Sequence, residues 1–131
     1  MLIIFHKSLM ALATMCLITG VSAAVFFRQN RYWLKVHKAF NSIASIFLSA
    51  GVAMAIMAVW QHNGEHFAGF HPIGGRIAAS FAIISLFLGF YQFQAKNRIQ
   101  VFKTLHRWVG RLSVLLILAA LISGLVHAGI I

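Results

Sequence analysis

Four long apolar runs limit what this 131-residue chain can fold into. They cover residues 8–27, 39–60, 77–95 and 112–131. A helix needs about 20 predominantly apolar residues to cross a hydrocarbon core of about 30 Å, and backbone amides in lipid must bond within their own helix. The chain is 61% hydrophobic and 9% charged, whereas a soluble domain carries about 25% charged residues. The sequence therefore predicts four transmembrane helices.

The positions of the cations predict how these helices are oriented. Most of them lie in or beside the first and third connections: Arg28, Arg31, Lys35, Lys38, Lys96, Arg98, Lys103, Arg107 and Arg111. Only Lys7 and Arg76 lie on the opposite side. Because cytoplasmic loops carry the excess of Lys and Arg, we expect these two connections in the cytoplasm and both termini outside. The net charge of +10 thus reflects topology and does not indicate nucleic-acid binding.

The predicted fold class is an all-α membrane protein. We expect a single domain over residues 1–131, an up-down bundle of four transmembrane helices with the N and C termini on the non-cytoplasmic side. The approximate helix bounds are 6–27, 37–60, 72–95 and 106–130. Pro72 suits the first turn of the third helix, where its missing N–H is not needed. The expected location is a plasma, inner or organelle membrane, as an integral multi-pass protein.

The N-terminal run has an alternative interpretation. Lys7, the apolar stretch after it and the small residues at 21–23 resemble a signal peptide with its cleavage site. The positive region is thin, however, and the run exceeds the usual apolar length of about 7–15 residues. We therefore expect this run to stay in the protein. Cleavage would also remove His6.

One histidine stands at the start of each apolar run: His6, His37, His71 and His106. Ionisable side chains are costly inside a bilayer and usually mark function there. Helices one and three begin outside and helices two and four begin in the cytoplasm, so His6 shares a depth with His71, and His37 with His106. A heme iron takes one imidazole from each of two facing helices at equal depth. The sequence therefore predicts two hemes per chain, with these four histidines as axial ligands of the iron.

Other uses of the histidines fit less well. Zinc prefers four tetrahedral ligands, often with cysteine or carboxylate, and each depth offers two histidines. A proton relay would need Asp, Glu or His through the interior of the spans, and the middle of the spans lacks them. Interfacial histidines that bind only water remain the plain alternative, which four matched positions make less favoured.

Small and basic residues near the histidines are candidate parts of the heme sites. Gly75 and Gly110 follow their histidines by four residues, on the same helical face, where a side chain would crowd a porphyrin edge. Close helix packing is the other explanation of these glycines. Five cations are candidates for cofactor binding through the heme propionates: Lys7, Lys38, Arg76, Arg107 and Arg111. Snorkelling to lipid headgroups is their alternative role.

Short repeats relate the runs in pairs. In the first two runs, a His-Lys pair is followed at the same offset by Gly-Val: His6-Lys7 with Gly20-Val21, and His37-Lys38 with Gly51-Val52. In the last two runs, HPIGGR corresponds to HRWVGR, and Leu86 and Gly89 match Leu121 and Gly124. Internal pseudo-symmetry is common in membrane folds.

These patterns resemble the cytochrome b561 family. The segments WLKVHKAF, HPIGGR and LHRWVGRL look like its second, third and fourth heme-ligand segments, and FHKSLMAL matches the first. The resemblance covers nearly the whole chain. It implies two b-type hemes, an outer one held by His6 and His71 and a cytoplasmic one held by His37 and His106. In relatives of the eukaryotic type, cytosolic ascorbate is the donor and monodehydroascorbate or ferric iron the acceptor. The family's usual first and last helices, of six, have no counterpart in this sequence, which leaves the substrate open.

The expected function is transmembrane electron transfer through two bis-histidine hemes, from a cytoplasmic donor to an acceptor on the opposite face. The expected partners are the lipid bilayer and a small-molecule or protein donor and acceptor. A homodimer, a larger complex, and an ascorbate- or quinol-dependent oxidoreductase activity are left open.

The alternatives are a heme-bearing anchor subunit of a quinone-linked complex and a non-redox transporter. His62, Glu65, His66 and His127 are weak candidates for binding an acceptor or a metal, and His127 is an alternative heme ligand.

Overall fold

The computed structural model describes residues 1–61, 69–95 and 98–130, and all regular structure in these ranges is helical. The helices are α1 (Leu2–Phe26), α2 (Trp33–Gln61), α3 (Phe70–Tyr91) and α4 (Ile99–His127). Each is long and apolar enough to cross a membrane. The prediction of an all-helical chain with four candidate membrane spans is therefore confirmed.

Three of the helices begin a full turn or more before their predicted start. α1, α2 and α4 start at Leu2, Trp33 and Ile99, so their histidines and neighbouring cations lie beyond the first turn. An apolar run marks the hydrocarbon layer, whereas helical hydrogen bonding continues through the headgroup region where Lys, Arg and Gln are good helix formers. α3 instead begins at Phe70, and Pro72 lies in its first turn as predicted.

The chain divides into two compact units, Met1–Phe67 and Ala68–Ile131. The first hairpin consists of α1 and α2, and the second hairpin consists of α3 and α4. Within each hairpin the two helices run antiparallel, because the start of one hydrogen-bonds near the end of the other.

Small residues form the interface of the first hairpin. The buried positions are Ala13, Thr14, Gly20 and Ala23 of α1 and Ala44, Leu48, Gly51 and Ala58 of α2. A Cβ added at Gly20 would lie 3.2 Å from the Cβ of Phe40, and one at Gly51 would lie 3.3 Å from the Cβ of Leu9. Without a hydrophobic driving force between helices in lipid, close backbone approach supplies van der Waals contact.

The second hairpin uses the same kind of interface. Its buried residues are Ala78, Ala79, Ala82 and Ser85 of α3 and Ser113 and Ile117 of α4. The Ser113 hydroxyl donates to the Val109 carbonyl at 2.7 Å, which satisfies it within its own helix. Large apolar side chains point outward instead, and Phe87 is 69% exposed. This inside-out distribution suits a surface that faces hydrocarbon.

Candidate functional site

The two histidines of the first hairpin each bind a backbone carbonyl of the opposite helix. His6 Nδ1 lies 2.8 Å from the Gly51 oxygen, and His37 Nδ1 lies 2.9 Å from the Gly20 oxygen. A carbonyl oxygen can only accept, so Nδ1 carries the proton and donates in both bonds. Both side chains are half-buried. The glycines repeated in the sequence thus provide the acceptors of these bonds.

The histidines of the second hairpin make the same bond. His71 Nδ1 lies 3.0 Å from the Ala120 oxygen, and His106 Nδ1 lies 2.9 Å from the Ser85 oxygen. His71 Nδ1 is also 3.1 Å from the Ser123 hydroxyl, which itself donates to the Ala120 oxygen at 2.9 Å. The hydroxyl oxygen is therefore a second acceptor for the His71 proton. Both of these side chains are also half-buried.

One offset describes all four bonds. The accepting residue always lies 14 positions after the histidine of its own helix: Gly20 after His6, Gly51 after His37, Ser85 after His71 and Ala120 after His106. At 1.5 Å per residue, 14 positions separate the two histidine levels of a hairpin by about 21 Å along the helix axis. A hydrocarbon core of about 30 Å would hold both levels, each a few ångströms inside one face.

These bonds select one tautomer of each imidazole. In a neutral ring with the proton on Nδ1, the lone pair is on Nε2, which is the nitrogen that can coordinate a metal. A hydrogen bond from the other ring nitrogen to a carbonyl also fixes the ring orientation and raises ligand basicity, as is usual for metal-ligating histidines. All four predicted ligands therefore have the tautomer that ligation through Nε2 requires, and ligation itself stays a prediction.

Two glycines of the second hairpin accommodate the imidazole rings. A Cβ at Gly89 would lie 2.9 Å from Cε1 of His106, and a Cβ at Gly124 would lie 2.8 Å from Cε1 of His71. Each glycine follows the accepting residue by four positions, so it lies one turn along the same helical face. Both glycines belong to the sequence repeat, but the repeat does not indicate that they contact the histidine rings.

The glycines chosen from the sequence are surrounded differently. A Cβ at Gly75 would meet nothing within 4 Å in the part of the chain that the structure describes, and one at Gly110 would lie 3.2 Å from the Ser85 hydroxyl. The space beside Gly75 is compatible with a large planar group, and Gly110 is a helix-packing position. Clearance for a porphyrin stays a prediction for both.

Aromatic and amide side chains surround His37. The ring centroids of Trp33 and His37 are 6.4 Å apart. The Asn41 amide nitrogen donates to the His37 carbonyl at 2.6 Å and lies 3.0 Å from Nδ1 of the same residue. Because Nδ1 already donates to the Gly20 oxygen, the amide nitrogen and Nδ1 are both donors, and their close approach is not a second hydrogen bond.

The five candidate cations follow the histidines at two fixed positions. Lys7, Lys38 and Arg107 are the next residue after a histidine, and Arg76 and Arg111 are the fifth. Positions one and five lie on one helical face. Lys38 is half-buried and the other four are exposed. The Arg111 guanidinium lies 5.3 Å from the Trp108 ring centroid, and Arg107 Nε donates to the Lys103 carbonyl. Contact with propionates stays a prediction.

His127 lies beside a predicted ligand. Its ring centroid is 6.4 Å from that of His71, and the planes differ by 14°. His127 is exposed, and the described residues provide no hydrogen bond to its ring comparable to the carbonyl bond of His71. This favours His71 as the ligand. His62, Glu65, His66 and Lys96 lie outside the described residues.

No group of three or more His, Cys, Asp or Glu that could hold a metal ion occurs in residues 1–61, 69–95 and 98–130. Tetrahedral zinc takes four ligands, whereas an iron held by two imidazoles takes two such side chains, so the heme prediction stays untested by this finding.

Comparison with known proteins adds no relative: no family model, curated protein or solved structure matches this chain. The resemblance to the cytochrome b561 family stays a prediction from the histidine spacing and the ligand segments.

Proposed function

We propose that this chain transfers electrons across a membrane through two b-type hemes, each held by two of the four histidines. One observation supports this above the others: every one of the four imidazoles donates from Nδ1 to a backbone carbonyl, at the same 14-residue offset. Histidines that only bind interfacial water would have no reason to share one tautomer and one orienting partner. Ligation through Nε2 gives that reason.

The proposed pairing joins the hairpins. The two histidines of one hairpin are about 21 Å apart along the axis, so one hairpin cannot supply both axial ligands of one iron. The alternation of the helices predicts His6 with His71 on the outer side and His37 with His106 on the cytoplasmic side. The four helices would then form the predicted up-down bundle, with both termini outside.

A heme with two imidazole ligands supplies a one-electron redox centre that has no open coordination position. The residues of the chain orient and tune it. The carbonyls that accept from Nδ1 orient each imidazole, and the higher basicity that they give the ring would favour ferric iron in a bound heme. Lys7, Lys38, Arg76, Arg107 and Arg111 are proposed to neutralise carboxylates of the cofactor near the headgroup level. The basic cytoplasmic connections would attract an anionic donor.

The first test is the absorption spectrum of the purified protein together with its heme-to-protein ratio. We expect b-type bands and two hemes per chain. His6→Ala and His71→Ala should each remove the same heme, and His37→Ala and His106→Ala should each remove the other. His127→Ala is the matched control and should keep both. A colourless protein, a single heme, or loss of heme in His127→Ala with retention in His71→Ala would contradict the proposal.

The anchor-subunit alternative shares the heme sites and differs in the partner. The chain purified in mild detergent would then co-purify with soluble subunits and be reduced by quinol. Reduction of the isolated chain by ascorbate, with no subunit attached, favours transfer by the chain alone. Re-oxidation by an acceptor enclosed in vesicles would establish that the electron crosses the bilayer.

A further inference from the structure

The first hairpin contains an open cleft at the end where α1 connects to α2. Its volume is about 420 Å³. Ile18 of α1, Phe27 directly after that helix and Val36 of α2 form apolar walls, and Asn30, Tyr32 and Trp33 lie at the end formed by the connection. From Ile18 to Phe27 the wall follows about 13 Å of helix axis. The cleft thus has a long apolar part and a short polar end.

Three cations lie around the aromatic rings of this polar end. The Arg28 guanidinium is 5.8 Å from the Trp33 ring centroid, the Arg31 guanidinium is 4.5 Å from that of Tyr32, and Lys35 Nζ is 5.9 Å from the same Tyr32 ring. All three cations are exposed. Tyr and Trp are enriched at the membrane–water interface, which agrees with a cleft that opens at headgroup level.

The described residues contain no Asp or Glu that could pair with these cations. Glu65 is the one acidic residue in the sequence, and it lies outside the described residues. Within the part of the chain that the structure describes, the charge of Arg28, Arg31 and Lys35 is therefore available to an anion that the protein does not supply.

We propose that this cleft binds one anionic phospholipid of the surrounding leaflet. The phosphate lies among Arg28, Arg31 and Lys35, and one acyl chain follows the apolar wall from Phe27 towards Ile18. Basic pockets between membrane helices recognise anionic headgroups in this way. A zwitterionic headgroup brings its own cation into the same space, so it is disfavoured. This site does not depend on the heme proposal.

The test measures lipid preference after reconstitution into nanodiscs of equimolar phosphatidylglycerol and phosphatidylcholine. The protein is released in mild detergent, and native mass spectrometry gives the ratio of the two lipids that stay bound. The variant Arg28→Gln/Arg31→Gln/Lys35→Gln should reduce the preference for phosphatidylglycerol by about fivefold per cation, or roughly 100-fold together. The matched control Lys96→Gln/Arg98→Gln/Lys103→Gln removes the same charge from the third connection and should keep the preference.

A second pair of variants tests the acyl part. Ser22→Phe fills the cleft from its half-buried wall, and Thr19→Phe does so from an exposed position of the same helix. Either should reduce bound phosphatidylglycerol while all cations remain. Soluble glycerophosphoglycerol, which has the headgroup but no acyl chain, should not displace the lipid. If Ser22→Phe does not fold, Thr19→Phe decides.

Three results with the unaltered protein and the cation variant overturn the proposal. They are an equal ratio of the two lipids on the unaltered protein, equal losses in the cation variant and its control, or displacement by glycerophosphoglycerol at the concentration of the lipid. Unaltered binding in the folded cleft-filling variants would also overturn it.

Discussion

Gly124→Ala is the substitution whose consequence follows most directly from the structure. A Cβ at this position would lie 2.8 Å from Cε1 of His71, 3.3 Å from Nδ1 and 3.4 Å from Nε2. The glycine thus lies against the ring edge that contains both nitrogens. An ordinary contact begins at 3.4 Å, so the ring would have to move by about 0.6 Å or the two helices would have to separate.

This displacement determines the expected loss of heme affinity. The bond from His71 Nδ1 to the Ala120 oxygen is 3.0 Å long, and an increase of about 0.6 Å takes it beyond hydrogen-bond range. Losing one such bond costs about 0.5–1.5 kcal/mol, and overpacking costs about 1–3 kcal/mol if the helices move instead. We therefore expect a cost of about 1–3 kcal/mol, which equals a loss of about 5- to 140-fold in heme affinity at one site.

Two measurements check this expectation. Heme titration of the apoprotein in nanodiscs gives the affinity at each site, and the Gly124→Ala variant should weaken one site only. The ¹⁵N chemical shift of the His71 ring in the apoprotein reports the tautomer and the hydrogen bond without heme. Ala119→Val adds volume at an exposed position of the same helix and is the control that should leave both measurements unchanged.

A Gly124→Ala variant with unaltered heme affinity at both sites and an unaltered His71 ring signal would contradict this expectation. Weakening of both sites to the same degree would also contradict it, because the levels within the hairpin are about 21 Å apart.

Three further substitutions separate the other contributions. Gly89→Ala should weaken the other heme site by a similar 5- to 140-fold, or about 1–3 kcal/mol, measured in the same titration, because its Cβ would lie 2.9 Å from Cε1 of His106. Ser123→Ala removes the hydroxyl 3.1 Å from His71 Nδ1; since the imidazole becomes less basic, the midpoint potential of one heme should rise in a redox titration while heme content stays at two. Gly75→Leu places a side chain where the described residues leave open space; it should reduce heme content about tenfold or more, with unaltered helix content of the apoprotein by circular dichroism.

The helices and the histidines could be predicted from the sequence because each depends on a local property. About 20 apolar residues suffice for a span. The four histidines can be recognised because one lies at the start of each apolar run. The helix starts at Leu2, Trp33 and Ile99 were missed because hydropathy reports the hydrocarbon boundary. Helical hydrogen bonding ends further out, where no apolar signal remains.

The surroundings of the histidines could not be predicted in the same way. The sequence predicts that Gly75 and Gly110 leave space for a porphyrin edge, because they lie one turn after a histidine on the same helix. The closest glycines to the rings of His71 and His106 are instead Gly124 and Gly89 on the opposite helix. That contact depends on the register of the hairpin, which the connection and the interface packing set together.

The sequence repeat contains two of the four orienting acceptors, but it does not indicate that their carbonyls accept from the histidines. They belong to Gly20, Gly51, Ser85 and Ala120, which have no side-chain chemistry in common. A helical carbonyl has two lone pairs, so it can accept from an imidazole while it keeps its bond within the helix.

This use of the backbone explains how a chain with one acidic residue can orient four imidazoles. Carboxylates are frequent partners of ligand histidines elsewhere, but a carboxylate inside the hydrocarbon layer would be costly. A carbonyl carries no net charge and is present in every turn of the opposite helix. Side-chain changes at Ser85 or Ala120 that preserve the helix should therefore keep the bond, in contrast to a Cβ at Gly89 or Gly124. Heme affinity of Ser85→Ala equal to that of the unaltered protein would support this distinction, and a loss as large as that of Gly89→Ala would remove it.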